Sequence, residues 1–374
     1  MDATPKPPVR RRTLLTAAGA AVVTASGTAA ARAAAPQPSA LTPLQLAGQR
    51  VIYSYPGLTP PAALLTAIRA GQAAGVIFFG ENISSESQIA SVVSQLAQAN
   101  AAAPVNAPLL LMTDQEGGQV RRLPGAPTLS EKQIGLSGQS QIDASRAGAG
   151  AGQNLAGVGM NLNLAPVLDV FYQSGNFIDE YQRSYSSDPA RVSSLGRAFI
   201  AAQQTNQVAA TAKHFPGLGA ATAAQNTDLG PVTLTQSLTT LRNTDEAPYR
   251  TAIAAGVKLV MLSWAVYPAL DASRPAGLSP VVVQQELRQR LGFTGVTITD
   301  ALEAGAISSS YTTGRRAVLA ATAGIDLLLC SARDTSQGAA AVTALADAYS
   351  SAQLPTADFN AAVQRVTALR TWLA

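Results

Sequence analysis

Short apolar runs recur along the chain, separated by segments of helical length. Eight stand out: residues 50–55, 75–80, 108–114, 160–170, 208–217, 258–264, 295–300 and 324–330. Most are continuously apolar rather than alternating, as expected of parallel strands covered on both faces. The intervening segments are rich in Ala, Gln, Leu and Arg at helical spacing; Leu64, Leu65 and Ile68 form one stripe, and Val283, Leu287 and Leu291 another. Eight strands alternating with helices predict a single (β/α)8 TIM-type barrel, and the chain length suits one. An open doubly wound sheet is the structural alternative. The Ala/Gly stretch at 144–152 is expected to open a helix rather than mark a domain boundary.

The N-terminal residues break this pattern. Arg10-Arg11-Arg12 precede a short Ala/Val/Gly/Thr run and then Ala33-Ala34-Ala35-Pro36. A basic head, a mildly apolar middle and small residues before a proline describe a cleavable export signal over 1–35, and the adjacent arginines point to the twin-arginine route. The apolar stretch is shorter than the roughly 20 residues of a spanning helix, so no stable membrane anchor is expected. Residues 36–45 read as a flexible tail and 46–374 as the barrel domain.

The charge argument changes accordingly. Lys6, Arg10, Arg11, Arg12 and Arg32 against Asp2 put +4 on residues 1–35, which is the net charge of the whole chain. The remainder is near neutral and gives no electrostatic case for nucleic acid or an anionic membrane. Hydrophobic residues make up 47% of the 374 residues, enough for one large core. Cys330 is the only cysteine, so no intramolecular disulfide is available, and its apolar run marks it as a buried structural thiol.

Polar residues that a buried strand would not tolerate stand at the ends of these runs. The third ends Thr113-Asp114-Gln115-Glu116-Gly117-Gly118-Gln119-Val120-Arg121-Arg122. The fourth reads Asn161-Leu162-Asn163-Leu164-Ala165-Pro166-Val167-Leu168-Asp169-Val170, and the seventh ends Thr299-Asp300-Ala301-Leu302-Glu303. The fifth ends Lys213-His214-Phe215-Pro216-Gly217-Leu218-Gly219 and carries the only histidine, His214. In a barrel these ends share one mouth, where active sites collect. Asp114, Arg122, Lys213, His214 and Asp300 would suit a hydroxyl-rich ligand, and they have no metal-ligand geometry. Asp300, at the end of a β-branched run, is a rigidly held carboxylate at the mouth or, alternatively, a helix N-cap.

These segments, with 75–83 and Arg183-Ser184-Tyr185, resemble signatures of glycoside hydrolase family 3, specifically its bacterial β-N-acetylglucosaminidase branch. The resemblance covers roughly 50–330. It implies a one-domain barrel that cleaves terminal β-linked N-acetylglucosamine with retention, with Asp300 as nucleophile and Asp114, Arg122, Arg183, Lys213 and His214 gripping the sugar. The chain departs from the family at Leu218, normally histidine, and at Asn226-Thr227-Asp228, where the family's acid/base histidine is absent. Asp228 is either a substitute acid/base or part of a turn before Gly230-Pro231. Trp264, where relatives have histidine, either stacks on a sugar face or fills the barrel mouth.

The resulting expectation is a secreted, monomeric, cofactor-free and metal-free glycosidase acting on cell-wall or chitin-derived carbohydrate. A sugar-binding barrel that has lost catalysis and a phosphate-dependent glycoside cleavage are the alternatives.

Overall fold

The computed structural model describes residues 41–374, together with Met1 and Asp2. The expected export signal falls, those two residues apart, outside the described residues, as do residues 36–40 of the expected tail. The last residues of that tail are ordered. Pro43 opens a helix, Pro43–Gly48, whose first turn is closed by a reciprocal capping box between Thr42 and Gln45.

The eight apolar runs form the eight parallel strands of one barrel: β1 Val51–Tyr53, β2 Gly75–Ile77, β3 Leu110–Thr113, β4 Leu162–Asn163, β5 Ala209–Phe215, β6 Leu259–Leu262, β7 Val296–Thr299 and β8 Leu328–Leu329. Neighbours in sequence are neighbours in the sheet, and β8 pairs with β1 through Val51–Leu328 and Ile52–Leu329. A parallel bridge between Ile298 and Leu327 joins β7 to β8 and closes the ring. Closure leaves no exposed edge, and it excludes the open sheet.

Strand periodicity then decides which side chains reach the mouth. Every second residue points into the barrel. Leu110 and Met112 on β3, Ala209 on β5, Leu259 and Met261 on β6, and Val296 and Ile298 on β7 belong to one interior cluster. The inward phase reaches Asp114 one step after Met112, Asp300 one step after Ile298, and Lys213 two steps after Ala209 within β5. The three charged residues therefore lie directly above the apolar plug, aimed at its axis. Trp264 is in the opposite phase to Met261 and faces the outer layer.

Helices cover the outer faces. The Ala/Gly stretch lies in the middle of helix Ser140–Gly157 rather than at its start. Its role is close packing: a Cβ at Gly148 would lie 2.2 Å from the carbonyl oxygen of Phe199 on helix Pro189–Gln204. The stripe Val283 and Leu287 is buried as expected, but on a wide-turned π-helical segment, Val281–Arg290.

At the barrel floor Asp326 is wholly buried and clasped by two arginines. Arg288 donates at 2.6 Å, Arg365 at 2.8 and 3.0 Å, and the Thr297 amide at 2.9 Å. Arg365 comes from the last helix, Thr356–Trp372, so one carboxylate ties that helix to the base of β7 and β8. Removing a buried partner leaves uncompensated charge, typically at a cost of about 3–5 kcal/mol. Asp326→Ala is expected to lower the unfolding free energy read from chemical denaturation by an amount in that range. The cavity at the opposite end should keep its ligand affinity in the folded fraction, as titration calorimetry would check.

Candidate active site

The C-terminal end of the barrel opens into a cavity of about 330 Å³. Its floor is the top layer of the apolar plug, Ile77, Leu164, Met261 and Leu329. Asp114, Arg122, Arg183, Lys213, His214, Asp228 and Asp300 all line its wall. Seven of the eight residues singled out in the sequence thus meet in one place. Trp264 does not. It is fully buried, its Nε1–H donates to the Ala301 carbonyl at 2.8 Å, and its ring packs on Gly277, where a Cβ would lie 2.5 Å away. Of the two roles open to it, the structure assigns that of filling the barrel wall, and the stacking expectation is corrected.

Arg183 and Lys213 are organised by Glu116, which the sequence reading had passed over. Glu116 is buried and accepts two hydrogen bonds from Arg183, Nε and Nη2 each at 2.9 Å, and one from Lys213 Nζ at 2.7 Å. Lys213 also donates to Asp114 Oδ1 at 2.7 Å. Burial would by itself raise the Glu116 carboxyl, but Arg183 and Lys213 overcome it and hold the pKa down to about 2. Lys213 is conversely raised: burial opposes its charge, and Asp114 and Glu116 more than restore it. Glu131 lies behind this cluster with one oxygen on the Val167 amide at 2.9 Å; burial and then the Glu116 charge push its pKa well up.

Asp169, also passed over, orders the β5 loop. It is wholly buried among apolar residues of the fourth run and accepts from His214 Nδ1 at 2.7 Å, from the Leu218 amide at 2.7 Å and from the His214 amide at 3.3 Å. Leu218 is 1% exposed and contributes an apolar patch to the cavity wall where a histidine would have been titratable. In both cases a signal was present in the sequence: an acidic residue in or beside an apolar run must find a buried partner.

Asp300 Oδ1 accepts from the Ala301 amide at 2.7 Å, which fixes the carboxylate at the strand end. No helix starts there; the next begins at Gly305, so the N-cap alternative fails. Glu303 is occupied elsewhere, held by Ser331 Oγ at 2.7 Å, the Ser331 amide at 3.2 Å and Gln337 at 3.1 Å.

Asp228 stands on a loop that is fastened to the segment following Asp300. Its own carbonyl accepts from the Gly305 amide at 2.8 Å, and Thr227's from the Ala306 amide at 3.0 Å. Gly305 permits this approach, since a Cβ there would lie 2.4 Å from the Leu229 backbone. The turn reading also holds locally, because Asn226 Oδ1 accepts from the Asp228 amide at 2.8 Å. Asp228 is exposed at the cavity mouth, yet the protein packed around its carboxyl, and next the charge of Asp300, raise its pKa. Among the described residues no group of three His, Cys, Asp or Glu side chains is arranged to hold a metal ion, and no helix is long and apolar enough to cross a membrane.

Two carboxyls, Asp228 and Asp300, in one cavity with a wall of cations is an arrangement that suits a glycosidase, and comparison with known proteins agrees. The profile described as the glycosyl hydrolase family 3 N terminal domain matches residues 50–369. An uncharacterized secreted glycosyl hydrolase of Arthroderma benhamiae is 47% identical over 87% of this chain and 93% of its own length. Beta-hexosaminidase A of Pseudoalteromonas piscicida is 30% identical over 84% of this chain, which spans only 56% of that relative. Among solved structures, a family 3 β-N-acetylglucosaminidase from Paenibacillus sp. superposes with a TM-score of 0.84 at 35% identity, covering 89% of this chain and 63% of the other. The β-N-acetylhexosaminidase of Beutenbergia cavernae gives 0.80 at 33% identity, with 89% and 99% covered. By the extent of these matches and the residues that meet in the cavity, the chain belongs to glycosyl hydrolase family 3 and is a glycosidase of the β-N-acetylhexosaminidase-like kind.

Proposed function

We propose that the enzyme is exported and removes terminal β-linked N-acetylglucosamine from cell-wall or chitin-derived glycans, with retention of configuration. Asp300 is the nucleophile in this reading and Asp228 the acid/base. The observation that carries it is the sharing of one cavity by these two carboxyls, with the Asp228 pKa raised by the protein packed around it and by the Asp300 charge. Export rests on the arginine-led leader and on the similarity to a relative described as secreted.

The chemistry runs in two steps. An Asp300 oxygen attacks the anomeric carbon while Asp228 gives its proton to the departing glycosidic oxygen, leaving a glycosyl ester on Asp300. A water then loses a proton to Asp228 and its oxygen displaces Asp300, restoring both carboxyls. Asp114, Lys213 and Arg183, locked together through Glu116, hold the sugar hydroxyls in a fixed pattern. The cluster offers charge without mobility. Lys213 has one N–H left for the sugar once Asp114 and Glu116 are served.

Asp300→Asn is expected to abolish turnover on every glycoside, because no covalent intermediate forms. A chromogenic N-acetylglucosaminide assayed for both burst and steady state tests this; turnover retained in the variant would remove Asp300 from its role.

Asp228→Ala is expected to act selectively. Cleavage of poor leaving groups should fall by about 10²- to 10⁴-fold, whereas activated aryl glycosides should lose far less in the first step. Azide should accelerate breakdown of the intermediate, since it needs no base. The pH profile carries a second sign. A donor must be protonated, so kcat/KM should decline as pH rises through the raised Asp228 pKa, and that alkaline limb should vanish in Asp228→Ala. An unchanged profile and unchanged leaving-group dependence would exclude Asp228.

A further inference from the structure

The bond between Asp169 and His214 fixes more than the position of a ring. A carboxylate offers only acceptor oxygens, so the imidazole nitrogen 2.7 Å from Asp169 Oδ2 must carry a proton. Oδ1 is already taken by the Leu218 amide at 2.7 Å and the His214 amide at 3.3 Å, so the carboxylate cannot swing away to release the ring. Asp169 is 0% exposed and His214 5%, which keeps water from competing for Nδ1. Nε2 has no protein partner among the described residues, and His214 lines the cavity.

We propose that Asp169 is a positioning residue that locks His214 in the Nδ1–H form, so that Nε2 presents a lone pair and accepts a hydrogen bond from one hydroxyl of the substrate. The assignment complements the rest of the wall. Arg122, Arg183 and Lys213 are donors only, and a sugar hydroxyl satisfied by a cation still has a proton to place. His214 takes that proton without adding another negative charge beside Asp114 and Asp300. The site therefore discriminates for a substituent that donates at that position and against one that only accepts. The substrate side of this inference rests on the glycosidase reading above; the protonation of the ring does not.

Because His214 is the only histidine in the chain, its ring nitrogens give the only imidazole signals in a long-range proton–nitrogen correlation spectrum of the protein uniformly labelled with nitrogen-15. The wild-type protein without ligand should show a protonated Nδ1 and an unprotonated Nε2 at neutral pH. A proton on Nε2, with or without one on Nδ1, would overturn the proposal. Asp169→Asn keeps an oxygen for the Leu218 amide but places an N–H against Nδ1, and should move the proton to Nε2; circular dichroism checks that the variant folds.

Kinetics supply the independent arm. Aryl N-acetylglucosaminides with each free hydroxyl replaced in turn by fluorine, which cannot donate, would be compared in both proteins. Wild type should lose kcat/KM by about 10-fold more at one position than Asp169→Asn does, the size of one hydrogen bond. The electronic slowing caused by fluorine is common to both and cancels. Equal losses at every position would refute the acceptor role. No turnover on any N-acetylglucosaminide would instead count against the substrate reading, with the spectrum still deciding the ring's protonation.

Discussion

Four charged side chains are gathered at the cavity wall, and Glu116, just behind it, is the one shared by most of the others. Without it, Arg183 and Lys213 would be two positive charges desolvated side by side, with Asp114 able to compensate only one. With it, the charges alternate as Arg183, Glu116, Lys213, Asp114, each step within 2.9 Å. Such a chain is costly to dehydrate, and its value lies in orientation more than in stability. Arg183 comes from the loop after β4 and Lys213 from β5 itself, and the carboxylate holds them to one geometry. The shape of this side of the cavity follows from that.

Much of the fold was legible because parallel strands buried on both faces leave uninterrupted apolar runs, and all eight became barrel strands. The order of helices and strands fixed the topology as well. Helix detail was less accessible: the i→i+5 winding of Val281–Arg290 leaves the same apolar stripe as an ordinary helix. The tail boundary was set a few residues too late, since the Thr42–Gln45 capping box that begins the first helix lies inside the span assigned to it.

At the site, the residues found from the sequence are those whose strand phase points inward. Asp114, Lys213 and Asp300 each continue the alternation of an interior residue two positions earlier. The same alternation, applied to β6, places Ser263 inward and Trp264 outward, which is why the tryptophan left the site. Asp169 and Glu116 escaped notice because they touch other side chains rather than ligand, and burial partners distant in sequence are not written in local pattern. Glu303 shows the reverse: it stands three residues after Asp300 in the same segment, yet Ser331 and Gln337 occupy it.

Leu218 and Asp228 belong to one loop, anchored at two ends by different means. At its start the Leu218 amide is bound to Asp169, so the backbone is held although the side chain is apolar. Farther on, Thr227 and Asp228 give their carbonyls to Ala306 and Gly305. This second anchorage joins the loop to the short segment just beyond Asp300. Asp228 and the segment that follows Asp300 are thereby mounted on a common frame, so the placement of one carboxyl relative to the other is set by backbone bonds on both sides rather than by the loop alone.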